Sequence, residues 1–192
     1  MNKGRVEAFT DAIVAIIMTI MVLELKTPES STFQSFLNEK TYFIAYLISF
    51  FLIATTWYNH HYLFTNSNWI SKRAFWANCA WLFLMSLTPV STAWISKFPR
   101  SLSAAYLYFI LYTLWGLAFE ILLSTLIKDN PTQASRLRLM RSRGKNIFEI
   151  SSFAIGLILI YFIPYASFVV LAVDILVWIV FTPKNSDRII AK

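Results

Sequence analysis

Arg5, Glu7 and Asp11 stand in the first turns of a segment that continues apolar to Leu25. A cation and two carboxylates at the head of a bilayer-length segment are costly in hydrocarbon, so they face protein or water and commonly mark a functional pathway. Two further carboxylates, Glu120 and Asp174, interrupt later apolar runs, and His60 and His61 sit side by side near the end of another. The chemistries open to these residues are ion passage, proton or cation relay, and hydrogen bonding inside a helix bundle. Enzymatic chemistry has little support. The chain carries no glycine-rich phosphate loop, nucleophile elbow or zinc-ligand spacing, and no cofactor is expected.

The elements that position these residues follow from composition. Of 192 residues, 57% are hydrophobic and only 14% charged. Soluble domains carry about a quarter charged residues, so the chain reads as an integral membrane protein. A span needs roughly 20 apolar residues. Six runs can be cut, at about 7–25, 42–64, 75–96, 104–127, 147–163 and 166–182. The expected fold is therefore all-α and polytopic, a single six-helix transmembrane domain over 1–192. The last two runs are short and meet at Ile163-Pro164-Tyr165, which reads as a tight helical hairpin. The first run contains the charged motif and lacks a small-residue cleavage site, so it is expected to stay as a span rather than act as a signal peptide.

The formal net charge of +7 fits topology better than nucleic acid. Of the 17 Lys and Arg, Lys3, Arg5, Lys72, Arg73, the six from Lys128 to Lys145, and Lys184, Arg188 and Lys192 fall on one side of a six-span arrangement. Only Lys26, Lys40, Lys97 and Arg100 fall on the other. By the positive-inside rule both termini are cytoplasmic. The basic stretch 136–145 is either a topology-setting loop or a patch for anionic lipid head groups. The outer stretch from Lys26 to Lys40 reads as a plain connector. Cys79 is alone and reads as a small packing residue. Trp57, Trp69, Trp76, Trp94 and Tyr42 fall near span ends, where interfacial aromatic belts form.

At 100° per residue, Ala12, Ile16, Thr19, Ile20 and Leu23 fall on one stripe of the first helix. Glu7, Asp11, Val14, Met18 and Leu25 fall opposite, which points Asp11 into the bundle. Arg5 is six residues from Asp11 and well around the helix, so a third group is expected to bridge them. The first stripe has two readings. It packs, with Thr19 bonding back to a carbonyl one turn earlier, or it lines a pore in which Ile16 and Leu23 form dewetting constrictions.

Neighbouring histidines on a helix diverge by about 100°, so His60 and His61 are not a ready metal site. Both share a face with Trp57, and their imidazoles are expected partners for Asp11, with Asn78 able to join the cluster. Glu120 and Asp174 have no basic or acidic companion visible in the sequence. They are either satisfied by Ser, Tyr or Trp from a neighbouring helix or serve a proton- or cation-coupled secondary transporter. No inverted repeat supports the transporter.

The run Arg5-x-x-x-Phe9-Thr10-Asp11-Ala12, with Ile16-Ile17-x-Thr19 and Val22-Leu23-Glu24-Leu25 after it, resembles the opening helix of prokaryotic members of the endosomal and lysosomal transmembrane potassium channel family. Thr10 stands where the family motif has serine. The stretch from Trp57 to His61, Asn78 and the segment Leu87-Thr88-Pro89 also fit. The resemblance implies one six-helix repeat per chain, a homotetramer in a prokaryotic plasma membrane, and a central pore lined by the first helices without a carbonyl filter. It implies Ile16 as the narrowest ring, Thr19 as an aid to selectivity, Leu23 as a further apolar layer, and K+ as permeant ion with Rb+ and Cs+ as candidates. Arg5, Phe9, Thr10 and Asp11 are implied as a network tying the pore helix to the second and third spans.

Overall fold

A computed structural model describes residues 2–182; the cations Lys184, Arg188 and Lys192 lie outside the described residues. Helix α1 (Lys3–Met21) starts at Asn2, whose side-chain oxygen accepts from the Arg5 backbone N–H at 3.3 Å. A 3-10 turn, Val22–Glu24, ends it. The stretch beyond is not a plain connector. It holds a short helix α2 (Phe33–Asn38), capped by Thr32 and tied down by a Lys26–Glu39 ion pair at 3.5 Å. Thr32 frees its hydroxyl for the Ser35 N–H, which satisfies one orphan amide of that helix.

Helix α3 (Lys40–Thr65) is the second span. The third is two helices, α4 (Lys72–Ser86) and α5 (Thr88–Lys97), interrupted at Leu87. Pro89 explains the break, because it has no N–H to give and forces a helix restart. The Thr88 carbonyl at the break accepts from the hydroxyls of Ser91 at 3.0 Å and Thr92 at 2.8 Å. Such hydroxyls are how hydrocarbon-embedded backbone stays satisfied.

Helix α6 (Leu102–Asp129) is the longest. After a short α7 (Ala134–Leu137) and a 3-10 turn (Arg138–Met140) come α8 (Arg143–Phe162) and α9 (Ala166–Phe181). Ser71, Ser101 and Ser142 cap α4, α6 and α8 in turn. The α8–α9 turn at Ile163-Pro164-Tyr165 is the expected hairpin. Five stretches are long and apolar enough to cross a membrane, with α4 and α5 acting as one; α9, at 16 residues, is the shorter sixth. The protein is an all-α, multi-pass membrane protein.

Without a hydrophobic drive between helices in lipid, packing and hydrogen bonds hold the bundle together. The main core gathers Trp81, Leu82 and Met85 of α4 with Trp115, Phe119 and Leu122 of α6, and Val14, Ile17 and Met21 of α1. A second core joins Ala45, Ile95, Ala105, Tyr108, Phe109 and Phe168. Buried hydroxyls link α3, α5 and α6, with Ser49 Oγ at 2.7 Å from Thr92 Oγ1 and 2.8 Å from the Tyr108 hydroxyl. At the other end, Asn130 accepts from the Asn68 and Trp69 amides at 2.9 and 2.8 Å and so fixes the α3–α4 turn.

The basic stretch is not a free loop. Leu137 and Met140 are buried, and Tyr62 donates to the Arg136 carbonyl at 2.9 Å. Arg141 reaches Glu120 (Nε to Oε2, 2.9 Å) and the Ser124 hydroxyl. Glu120 therefore does have a basic companion, brought to it by the turn before α8. Lys145 is buried, with Nζ 3.5 Å from Glu149 and 3.2 Å from the centre of the Trp178 ring. Asp174 takes a hydrogen bond from Ser152 at 2.8 Å, as the serine-satisfied reading expects.

Candidate functional site

The two faces of α1 differ sharply. Val6, Thr10, Val14, Ile17 and Met21 are buried against the rest of the chain. Ala12, Ile16, Thr19, Ile20 and Leu23 are all exposed, Ile16 by 57% and Leu23 by 78%. Among the described residues, no element of the chain covers the stripe, so packing against them is not its use. Thr19 nevertheless bonds back, its hydroxyl donating to the Ile16 carbonyl at 2.8 Å. That bond uses the hydroxyl proton and leaves the oxygen with acceptor capacity.

The buried face centres on Thr10, and this corrects the expected direction of Asp11. Rotation by 100° carries Asp11 from that centre to the edge, where it is exposed within the single chain. Its partner is the Trp57 indole, whose Nε1 donates to Asp11 Oδ1 at 2.8 Å. The imidazoles are not its hydrogen-bond partners. His61 is exposed, 3.3 Å from the Thr65 hydroxyl, with its ring 6.1 Å from that of Trp57.

His60 belongs to a buried relay of hydrogen bonds running from α3 through α4 to α1. Its Nε2 lies 2.8 Å from Asn78 Oδ1, and Asn78 Nδ2 donates to Thr10 Oγ1 at 2.8 Å. Since the Asn78 amide nitrogen faces Thr10, its oxygen must accept, and His60 must carry its proton on Nε2. The ring lies between Phe64 and Trp81, with centroids at 4.2 and 4.6 Å and planes within 25°. Thr10, His60 and Asn78 are all buried. A group with this burial needs each of its partners. The threonine methyl in place of serine fits the closed site and leaves the hydroxyl bond in place.

Arg5 does not enter this network. It lies on the exposed side of α1 and lines a surface recess with Asn2, Val6, Phe9 and Phe75. No third group joins it to Asp11 among the described residues. Phe9 is 45% exposed, with its ring 6.3 Å from Phe75 of α4. Phe64, Phe75 and Trp81, the rings that hold His60 and Phe9, are not among the residues singled out by the motif. The spacings His60-to-Phe64 and Asn78-to-Trp81, one helical turn each, were the available signal. Among the described residues, no three His, Cys, Asp or Glu side chains cluster as a metal site.

A family model described as endosomal/lysosomal potassium channel TMEM175 matches residues 5–89, which span α1, α3, α4 and the α5 break. A potassium channel of Chryseobacterium sp. (strain P1-3) is 33% identical over 180 residues, covering 94% of this chain and 94% of the relative. The chain belongs to the TMEM175 family of potassium channels. A second relative, a potassium channel of Chamaesiphon minutus, is 30% identical over 84% of this chain and 83% of its own length. A third, from Streptomyces collinus, is 29% identical over 63% of each. The fold matches the crystal structure described as a lysosomal potassium-selective channel TMEM175 homolog from Chamaesiphon minutus, with a TM-score of 0.78 over 97% of this chain and 98% of that one, at 24% identity. TMEM175 proteins are channels, not enzymes, and the matched span contains the polar network just described.

Proposed function

We propose that this chain forms a homotetrameric potassium channel whose pore is lined by four copies of α1. The observation that carries the reading is the bare stripe Ala12, Ile16, Thr19, Ile20 and Leu23, opposite a face fully used in packing. A single chain offers one such stripe, and closed cyclic symmetry would place four around an axis. Ile16 forms the narrowest hydrophobic ring and Leu23 an outer apolar layer, both suited to gating by dewetting. Thr19, with its proton engaged on the Ile16 carbonyl, contributes oxygen lone pairs to passing K+, and Rb+ and Cs+ are candidate permeants. Names of bacterial relatives support potassium as the ion.

The motif residues act as a brace rather than a conduit. Thr10, Asn78, His60, Asp11 and Trp57 fix the rotation of α1, and with it the direction of the stripe. The chain sits in a prokaryotic plasma membrane with both termini cytoplasmic, as the charge asymmetry supports. Arg136, Arg138 and Arg143 remain exposed for anionic lipid head groups, whereas Arg141 and Lys145 are engaged within the chain.

The test is potassium flux from liposomes holding the purified protein, with no counter-ion gradient. Wild type conducts, and Ile16→Trp or Ile16→Asp changes the conductance strongly. Flux of wild-type character from both variants would remove Ile16 from the pore. Saturable, pH-driven flux lost in Asp174→Asn would instead favour the transporter.

A further inference from the structure

A cavity of about 360 Å³ opens between α6, α8 and α9, on elements other than the one carrying the bare stripe. Its volume is that of a small-molecule site. The stacked rings of Phe109 and Phe153, 5.9 Å apart, and the indole of Trp178 form part of its wall. Three carboxylates, Glu120, Glu149 and Asp174, also line it.

Two of these carboxylates have their own cations. Arg141 holds Glu120 at 2.9 Å, and Lys145 lies 3.5 Å from Glu149. Among the described residues, Asp174 has only the Ser152 hydroxyl on Oδ1, although it is just 6% exposed. Among the described residues, no Lys or Arg lies within ion-pair distance of it. The cavity therefore combines apolar and aromatic walls with one carboxylate lacking a countercharge. A buried carboxylate favours a cation beside it, and aromatic faces favour a cation as well. Lys145 on Trp178 already shows this second contact within the same wall. Asp174 lies seven residues before the end of α9. That is about 10 Å along the axis, within reach of an amphiphile entering from the bilayer surface.

We propose that this cavity binds a lipophilic ammonium ion. The protonated amine sits at Asp174, and the apolar tail lies along Phe109 and Phe153. Gly116 lines this cavity, and a Cβ added there meets no atom within 4 Å, which makes it the position chosen for a blocking side chain.

The experiment is equilibrium binding of radiolabelled 4-phenylbutylammonium to the full-length protein in phosphatidylcholine nanodiscs. Its neutral isostere, 4-phenylbutan-1-ol, is measured in parallel, and no flux is read, so the result is independent of the pore reading. The expected result is saturable ammonium binding, one per chain, weakened at least tenfold by Asp174→Asn and abolished by Gly116→Leu. The alcohol binds more weakly and does not respond to Asp174→Asn. Equal affinity for amine and alcohol would show a plain lipid groove and overturn the proposal. Ammonium binding untouched by Gly116→Leu would place the ligand elsewhere. An absence of saturable binding to wild type would mean that a lipid chain or a second copy fills the cavity, and would overturn it too.

Discussion

The Trp57 indole N–H donates to Asp11 Oδ1 at 2.8 Å, across the seam between α3 and α1. This bond joins the second span to the pore-helix candidate at a position open to solvent within one chain. Trp57→Phe keeps most of the ring and removes the donor. Hydrogen bonds to a charged group contribute about 1.5–3 kcal/mol, and exposure reduces that, so a loss of about 1 kcal/mol is expected. Thermal unfolding in detergent measures it, and Trp57→Phe with an unchanged midpoint would make the bond incidental.

Asn78 is held far more tightly. Asn78→Leu leaves both His60 Nε2 and Thr10 Oγ1 buried without their present partner. Each stranded group costs about 1–3 kcal/mol, which is a large share of a domain's stability. Sharp loss of folded protein on size exclusion is expected for Asn78→Leu, and a markedly smaller loss for Thr10→Ser, which keeps the hydroxyl.

Thr19→Ala removes the one hydroxyl oxygen on the bare stripe while leaving Ile16 and Leu23 in place. Conduction should persist, and the reversal potential in opposed K+ and Na+ gradients should move toward zero. A reversal potential equal to wild type would take selectivity away from Thr19.

Gly156 of α8 lies directly against the Phe109 ring of α6. A Cβ there would overlap the Phe109 ring. Overpacking of this kind costs about 1–3 kcal/mol. Gly156→Ala should therefore lower the unfolding midpoint, and Phe109→Leu in the same chain should recover part of the loss. A double variant no better than the sum of the two would deny the contact.

Much of this architecture was legible because hydrocarbon is a demanding solvent. Span positions, the α8–α9 hairpin and the distinct stripe on α1 follow from residue type and spacing. Tertiary partners were harder. The sequence points Asp11 inward because it lies opposite the apolar stripe, whereas the buried face is centred one residue earlier on Thr10, whose hydroxyl fits a closed helix contact. The Glu120–Arg141 pair joins residues 21 apart through a turn that no local pattern reveals. The split of the third span was readable at Pro89, but hydropathy is continuous across it. The exposure of the stripe itself could only come from knowing what the other helices cover.

Helix lengths carry a consequence of another kind. At 1.5 Å per residue, α6 with its 28 residues is about 42 Å long, whereas α9 with 16 is about 24 Å. A hydrocarbon layer of about 30 Å suits neither when upright. A mismatch of this kind is met by thinning of the bilayer, snorkelling flanks or oligomerisation beside α9 and by tilt or protrusion of α6, at some elastic cost for each ångström. The two helix lengths thus set up a thickness mismatch along one flank of the protein. Acyl-chain length in the surrounding lipid becomes a variable acting on the same helices that back the α6–α8–α9 cavity.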